Sequence, residues 1–92
     1  MAGGWVYIIT NKRDGTLYVG ADLDSRLAQH KLGAVDGFSK RYNLHRLVYA
    51  EHHDEIESAI HREKRIKHWP RDWKVNLIVA SNPEWDDLSG TL

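Results

Sequence analysis

The sequence predicts a small α/β domain of the α+β type: one three-stranded antiparallel sheet flanked by helices, in the order β-β-α-β-α-α. Three observations predict it. Two short runs of β-branched and aromatic residues flank an Asp14-Gly15 turn, which is a hairpin signal. A third such run, HRLVYAEHH, begins at His45. Beyond it apolar residues recur at helical spacing until Trp69-Pro70 interrupts them.

The first strand covers residues 4–10, and alternation puts Trp5, Tyr7 and Ile9 on one face. The second covers 16–20. Thr16, Tyr18 and Gly20 share a face there, with Leu17 and Val19 opposite. A helix follows, capped by Asp22 or Asp24 and ended by Gly33. Leu23, Leu27 and His30 fall at i, i+4 and i+7 with Arg26 at i+3, so Arg26 and His30 lie on or beside its buried stripe. The loop GAVDGFSKRYN then carries a basic-aromatic cluster, Lys40, Arg41 and Tyr42. In the third strand Leu47 and Tyr49 face one way and Val48 the other. The longest helix runs from Asp54 to His68. Its stripe of Ile56, Ala59 and Ile60 continues to position 63, which holds a glutamate. A last short helix over 71–80 turns Trp73, Leu77 and Ala80 inward, and Trp85 pins a polar tail.

Ninety-two residues make one domain with a modest core. A hydrophobic fraction of 41% and four tryptophans argue for a packed fold, the tryptophans serving as core and anchors. The absence of cysteine excludes disulfides, thiolate zinc sites and a cysteine nucleophile. No apolar run approaches the ~20 residues that span a bilayer, and MAGG is no signal peptide, so a cytoplasmic protein without membrane partners is expected. Thirteen basic residues balance thirteen acidic ones, but their distribution is uneven. Arg62, Lys64, Arg65, Lys67, Arg71 and Lys74 crowd one segment, and acids gather on either side of it.

Charge-capable groups also break two apolar stripes, at Glu63 and at Arg26 and His30. A buried carboxylate is costly unless paired, protonated or metal-bound. If these breaks meet over Tyr7 and Tyr18, they form a pocket of carboxylate, guanidinium, imidazole and two phenols. Those groups suit phosphodiester hydrolysis. The carboxylate holds a hard cation, the guanidinium clamps phosphate, and phenol and imidazole move the proton. Plainer roles stay open: Arg26 with His30 as a surface pair, Glu63 bridged to Lys67 at i+4, and His52 and His53 as surface residues.

VYI at 6–8, YVG at 18–20, R-x-x-x-H at 26–30 and the helical Glu63 resemble the GIY-YIG nuclease superfamily. The closer resemblance is to its small single-domain bacterial members, of excinuclease-subunit-like, UPF0213 type. It runs through nearly all 92 residues, including GTLYVG, GFSKRYNLHRLVY, AIHREKRIKHW and NPEWDDL. The resemblance implies a single GIY-YIG domain and metal-dependent endonucleolytic cleavage of DNA, structure-selective and serving repair or recombination. It implies that one of Tyr7 and Tyr18 helps deprotonate the attacking water while the other orients it or contacts phosphate. Arg26 would steady the scissile phosphate and His30 would help accept the proton. Glu63 would bind one Mg²⁺ or Mn²⁺, and Gly20 would let the backbone pass close to the site. Lys40, Arg41 and Tyr42, with the basic 61–74 segment, would contact branched or single-stranded DNA. The sequence leaves the oligomeric state open. Asn76 and Asn82 both fit a downstream asparagine of the family. The connection from Gly20 to Arg26 is about two residues shorter than the family's usual spacing. The alternative is therefore a catalytically impaired DNA-binding module of the same fold.

Overall fold

A hairpin organises the chain. In the computed structural model, which describes residues 3–23 and 46–88, β1 (Gly4–Thr10) pairs antiparallel with β2 (Leu17–Leu23) through a tight turn. Asp14 takes a left-handed φ of 59°, which an aspartate tolerates better than most residues. Gly15 N–H donates to the Lys12 carbonyl at 2.9 Å, and Thr16 N–H to Asn11 Oδ1 at 3.1 Å. A Cβ on Gly15 would lie 2.1 Å from that same Oδ1, so a larger residue would displace the Asn11 amide and cost its bond to Thr16. β3 (Arg46–His53) pairs antiparallel with the other edge of β1, giving the strand order β2-β1-β3. Two helices follow, α1 (Ile56–Lys67) and α2 (Arg71–Ser81). The result is an α+β domain with a three-stranded antiparallel sheet.

β2 runs further than its composition suggests. Asp22 and Leu23 pair with Trp5 and Gly4, so both are strand residues. Asp22 therefore caps no helix, and Leu23 cannot begin a helical stripe. The pairing partner wins over the local capping preference because β1 offers hydrogen bonds along its whole length. The rest of the expected helix after β2, and the loop after it, lie outside the described residues.

The sheet has two differently covered faces. Tyr7, Ile9 and Leu47 form one buried cluster, joined by Trp5, Tyr18 and Leu88. Val6, Ile8, Val19 and Val48 form the other, closed by Ala59 and Ile66 of α1, Ile78 of α2, and Trp85. Each fully buried isoleucine contributes roughly 1.5–3 kcal/mol by leaving water. Strict alternation fails once, in β3. Ile8 pairs with Tyr49 and Ile9 with Leu47, so Val48 is the extra residue of a β-bulge. Val48 and Tyr49 consequently both pack toward the helices, where alternation had put them on opposite faces.

The bulge is stitched by the tail. Buried Asn82 donates from Nδ2 to the Val48 carbonyl at 3.0 Å and to the Asp86 carbonyl at 2.9 Å, and its Oδ1 accepts from Asp86 N–H at 3.1 Å. This turn carries Trp85 at a φ of 58° into the core, where it is 1% exposed. Arg46 Nη1 holds the Trp85 carbonyl at 3.1 Å, and Asp87 Oδ1 accepts from Leu47 N–H at 3.3 Å, shielding the outer edge of β3.

In α1 the inward residues are Ala59, Glu63 and Ile66, while Ile60 is exposed. The helix begins at Ile56 rather than Asp54, and its last turn gathers Lys64, Arg65 and Lys67 at the negative end of the macrodipole. In α2 the inward residues are Ile78 with Val75 and Leu77 beside it, so Leu77 packs inside as expected while Trp73 and Ala80, also expected inside, stand outside. Two helical residues turn a side chain by about 200°, which carries Trp73 away from Val75 and leaves it 56% exposed. Arg71 Nη2 ties the start of α2 to the hairpin, donating to the Asp14 and Gly15 carbonyls at 3.0 and 2.7 Å. No described helix is long and apolar enough to cross a membrane.

Candidate active site

The register sets Tyr7 opposite Gly20 and Ile9 opposite Tyr18, so both tyrosines stand on one sheet face. Tyr7 is buried, and its hydroxyl donates to Asp22 Oδ2 at 3.2 Å. Its ring lies over Gly20: a Cβ there would come within 2.6 Å of the Tyr7 hydroxyl oxygen. Gly20 thus makes room for the phenol. Tyr18 is half-buried on the edge strand β2.

Glu63 stands elsewhere. It projects from α1, which packs on the Val6/Ile8 face, opposite the phenols. Its side chain is only 11% exposed, and its carboxylate pairs with Lys67 of its own helix, at i+4. Consecutive helical residues point about 100° apart. Arg62 reaches Glu51 on β3, so Glu63, on the far side of the Ala59–Ile66 stripe, leans toward β2. The acid and the phenols are therefore not brought into one hollow across a shared face. They approach β2, the edge strand, from opposite sides. Arg26, His30, Lys40, Arg41 and Tyr42 lie outside the described residues.

Two polar groups escaped the sequence reading. Asp22, taken there as a helix cap, partners Tyr7. The period-two series Tyr18, Gly20, Asp22 signals it once the strand is extended. The second is a network centred on Glu51. Tyr49 donates its hydroxyl to Oε1, His53 Nε2 lies 2.6 Å from Oε2, and Arg62 Nε donates to Oε2 at 3.1 Å. Tyr49, Glu51 and His53 are spaced two apart on one strand, which is the signal that was available. Burial alone would raise the Glu51 carboxyl, but the Tyr49 and His53 hydrogen bonds and the Arg62 charge outweigh it and hold the group below its ordinary value. Burial, reinforced by Glu51, pushes the Tyr49 phenol up to about 12.

Among the described residues no three His, Asp or Glu side chains cluster as a ready-made metal cage. Glu63 offers a single hard-oxygen carboxylate. That fits a small divalent cation that keeps most of its own water, the usual manner of Mg²⁺.

A family model described as the GIY-YIG catalytic domain matches residues 3–76. A UPF0213 protein of Staphylococcus saprophyticus is 36% identical over 76 residues, covering 80% of this chain and 92% of that one. One from Staphylococcus aureus is 34% identical over 80 residues, covering 85% and 96%. A UPF0213 protein from Bacillus halodurans, solved in solution by NMR, is similar in fold with a TM-score of 0.59. It is 25% identical, with 92% of each chain covered.

Proposed function

The chain belongs to the GIY-YIG family, a family of nucleases, and from that premise we propose that it is a metal-dependent endonuclease that hydrolyses DNA phosphodiester bonds. Branched or single-stranded DNA is the proposed substrate, cut in the course of repair or recombination in the cytoplasm. What supports the reading is the position of two motif phenols beside an edge strand, with a largely buried carboxylate leaning over the same strand.

Glu63 would hold one Mg²⁺ or Mn²⁺. Such a cation, when bound, acidifies a coordinated water and offsets charge building on the phosphate. Every other role falls to the chain. Tyr18, the more exposed phenol, takes the proton of the attacking water. Tyr7, anchored on Asp22, keeps the neighbouring surface polar and oriented. Arg26 clamps the phosphate oxygens with its planar fork, and His30 carries the proton onward. Gly20 leaves the close space beside Tyr7 open. Lys40, Arg41 and Tyr42 take up the flanking strand.

The test is cleavage of a branched and a single-stranded DNA with Mn²⁺ by the wild-type chain and by Glu63→Ala. Cutting by the first and none by the second supports the enzyme. DNA binding by the wild type without cutting supports the second reading, an impaired DNA-binding module. That reading has its own observation: β2 persists to Leu23, leaving only Asp24 and Ser25 before Arg26.

A further inference from the structure

The α1–α2 elbow carries features the nuclease site does not use. An open groove of about 590 Å³ is lined by Arg62, Lys64, Arg65, His68 and Trp69. A second, of about 600 Å³, shares Arg62 and Arg65 with it and runs on to His53 of β3 and His61 of α1. The two adjoin at Arg62 and Arg65 and are taken together as one trough. Its cations are not equivalent. Arg62 is committed, bonded to Glu51 and 5.1 Å from the centre of the Trp69 ring. Lys64 and Arg65 are exposed and make no ion pair among the described residues. Trp73 lines neither groove but stands beside Trp69, 56% exposed and edge-on to it, with centroids 5.8 Å apart.

An exposed indole has two common explanations. One is an apolar patch for a protein partner. The other exposed apolar residues argue against it, because Ile60 lies on the α1 flank opposite Arg62, and Val79 lies about 120° round α2 from Trp73. The other explanation is a stacking surface. An aromatic face beside unpaired cations matches a ligand that alternates flat rings with negative charges. Bases in a duplex are stacked on one another and offer no free face, whereas single strands do.

We infer that this trough binds a single-stranded segment of DNA, with Arg65 and Lys64 on phosphates and Trp73 stacked on an unpaired base. The inference rests on the nuclease reading for its choice of DNA and deepens it by naming the strand state. Glu63 leans to the opposite flank of α1. The trough would therefore hold the unpaired strand away from the scissile bond.

The experiment uses the full chain carrying Glu63→Gln, with EDTA present, so that binding is read without cleavage. A short oligothymidylate is titrated while tryptophan fluorescence and probe anisotropy are followed. The oligonucleotide should quench the fluorescence. Trp73→Ala should weaken binding about tenfold, with Trp73→Phe recovering most of it. Arg65→Ala should reduce the slope of log K against log salt by about 0.7. Both residues are exposed, and circular dichroism verifies that the variants fold. Unchanged affinity in Trp73→Ala and Arg65→Glu would overturn the inference. So would loss of a self-associated species in Trp73→Ala, since the indole would then serve contact between copies. Loss of cleavage in the wild type with these binding effects intact would remove the nuclease reading alone. Cleavage with no Trp73 effect on binding would remove the trough alone.

Discussion

Two carboxylates border α1 and are held in opposite ways. Glu51, reached from the Arg62 flank, has three partners, Tyr49, His53 and Arg62, drawn from a strand and a helix. Glu63, on the other flank, has one ion-pair partner among the described residues. That is Lys67, a turn away on the same helix and half in water. A carboxylate whose lone pairs are all taken by fixed donors is part of the scaffold. One whose only counter-ion is a flexible lysine is buried at a cost, yet free to exchange that cation for another. The contrast separates a structural acid from a candidate functional one more sharply than burial does.

The largest effect that can break this comparison is on cleavage. Glu63→Leu should abolish Mn²⁺-dependent cutting, by more than about 100-fold, while changing unfolding free energy by less than about 1 kcal/mol. Gel assays and urea denaturation on the same preparation read both. A Glu63→Leu protein that unfolds far more easily would make Glu63 the structural acid instead.

Glu51→Ala should do the reverse. It strands Arg62 and removes the acceptor of Tyr49, costing about 2 kcal/mol of stability after allowance for partial exposure, with cutting retained at a temperature where the variant is folded. Urea midpoints measure the first and gel assays the second.

A smaller effect is the pH dependence of folding. The Glu51 carboxyl is held below its ordinary 4.5 in the folded chain. Its contribution is therefore complete above pH 4.5 and is lost as pH falls through the folded-state value. The Tyr49 phenol is raised from 10.0 to about 12. Its contribution is complete below pH 10 and fades as pH climbs toward 12. Denaturant unfolding across pH should show both limbs in the wild type, and Glu51→Gln should flatten each. Unaltered limbs would mean the network does not persist in solution.

The smallest change is at Lys67. Lys67→Met removes an i,i+4 pair and leaves the largely buried Glu63 without its ion-pair partner, which should cost about 1 kcal/mol. It should also enlarge the rise in Tm produced by Mn²⁺, since Glu63 then lacks its internal cation. Thermal scans with and without Mn²⁺ check this. An equal rise in both proteins would place the metal elsewhere.

Much of the fold was legible. The hairpin reads directly because a left-handed Asp14 and a Gly15 packed under the Asn11 amide are local features of the turn. The phenols' shared face follows from the period of a strand. Ambiguity entered where one residue satisfied two rules. Asp22 suits a helix cap as well as a strand, and β1 decided. Val48 obeys alternation until the pairing with Ile8 and Ile9 forces a bulge. Trp73 and Trp85 look alike as core residues, but helix phase puts one in water and the Asn82 turn drives the other inside. Asn82, one of two candidates for a site asparagine, is occupied in holding that turn. The Glu63–Lys67 pair was legible as an i,i+4 contact. The Glu51 network was not, because it depends on Arg62 crossing from a helix to a strand.

By itself the sequence determined the strand count, the turn, the family and the face on which Tyr7 and Tyr18 stand. These follow from periodicities and motifs that act within a few residues of chain. Tertiary structure alone decided which flank of α1 overlies which strand, and hence which carboxylate is saturated and which keeps a replaceable partner. Pairing between groups distant along the chain is set by how helices and strands pack, and no local pattern encodes it.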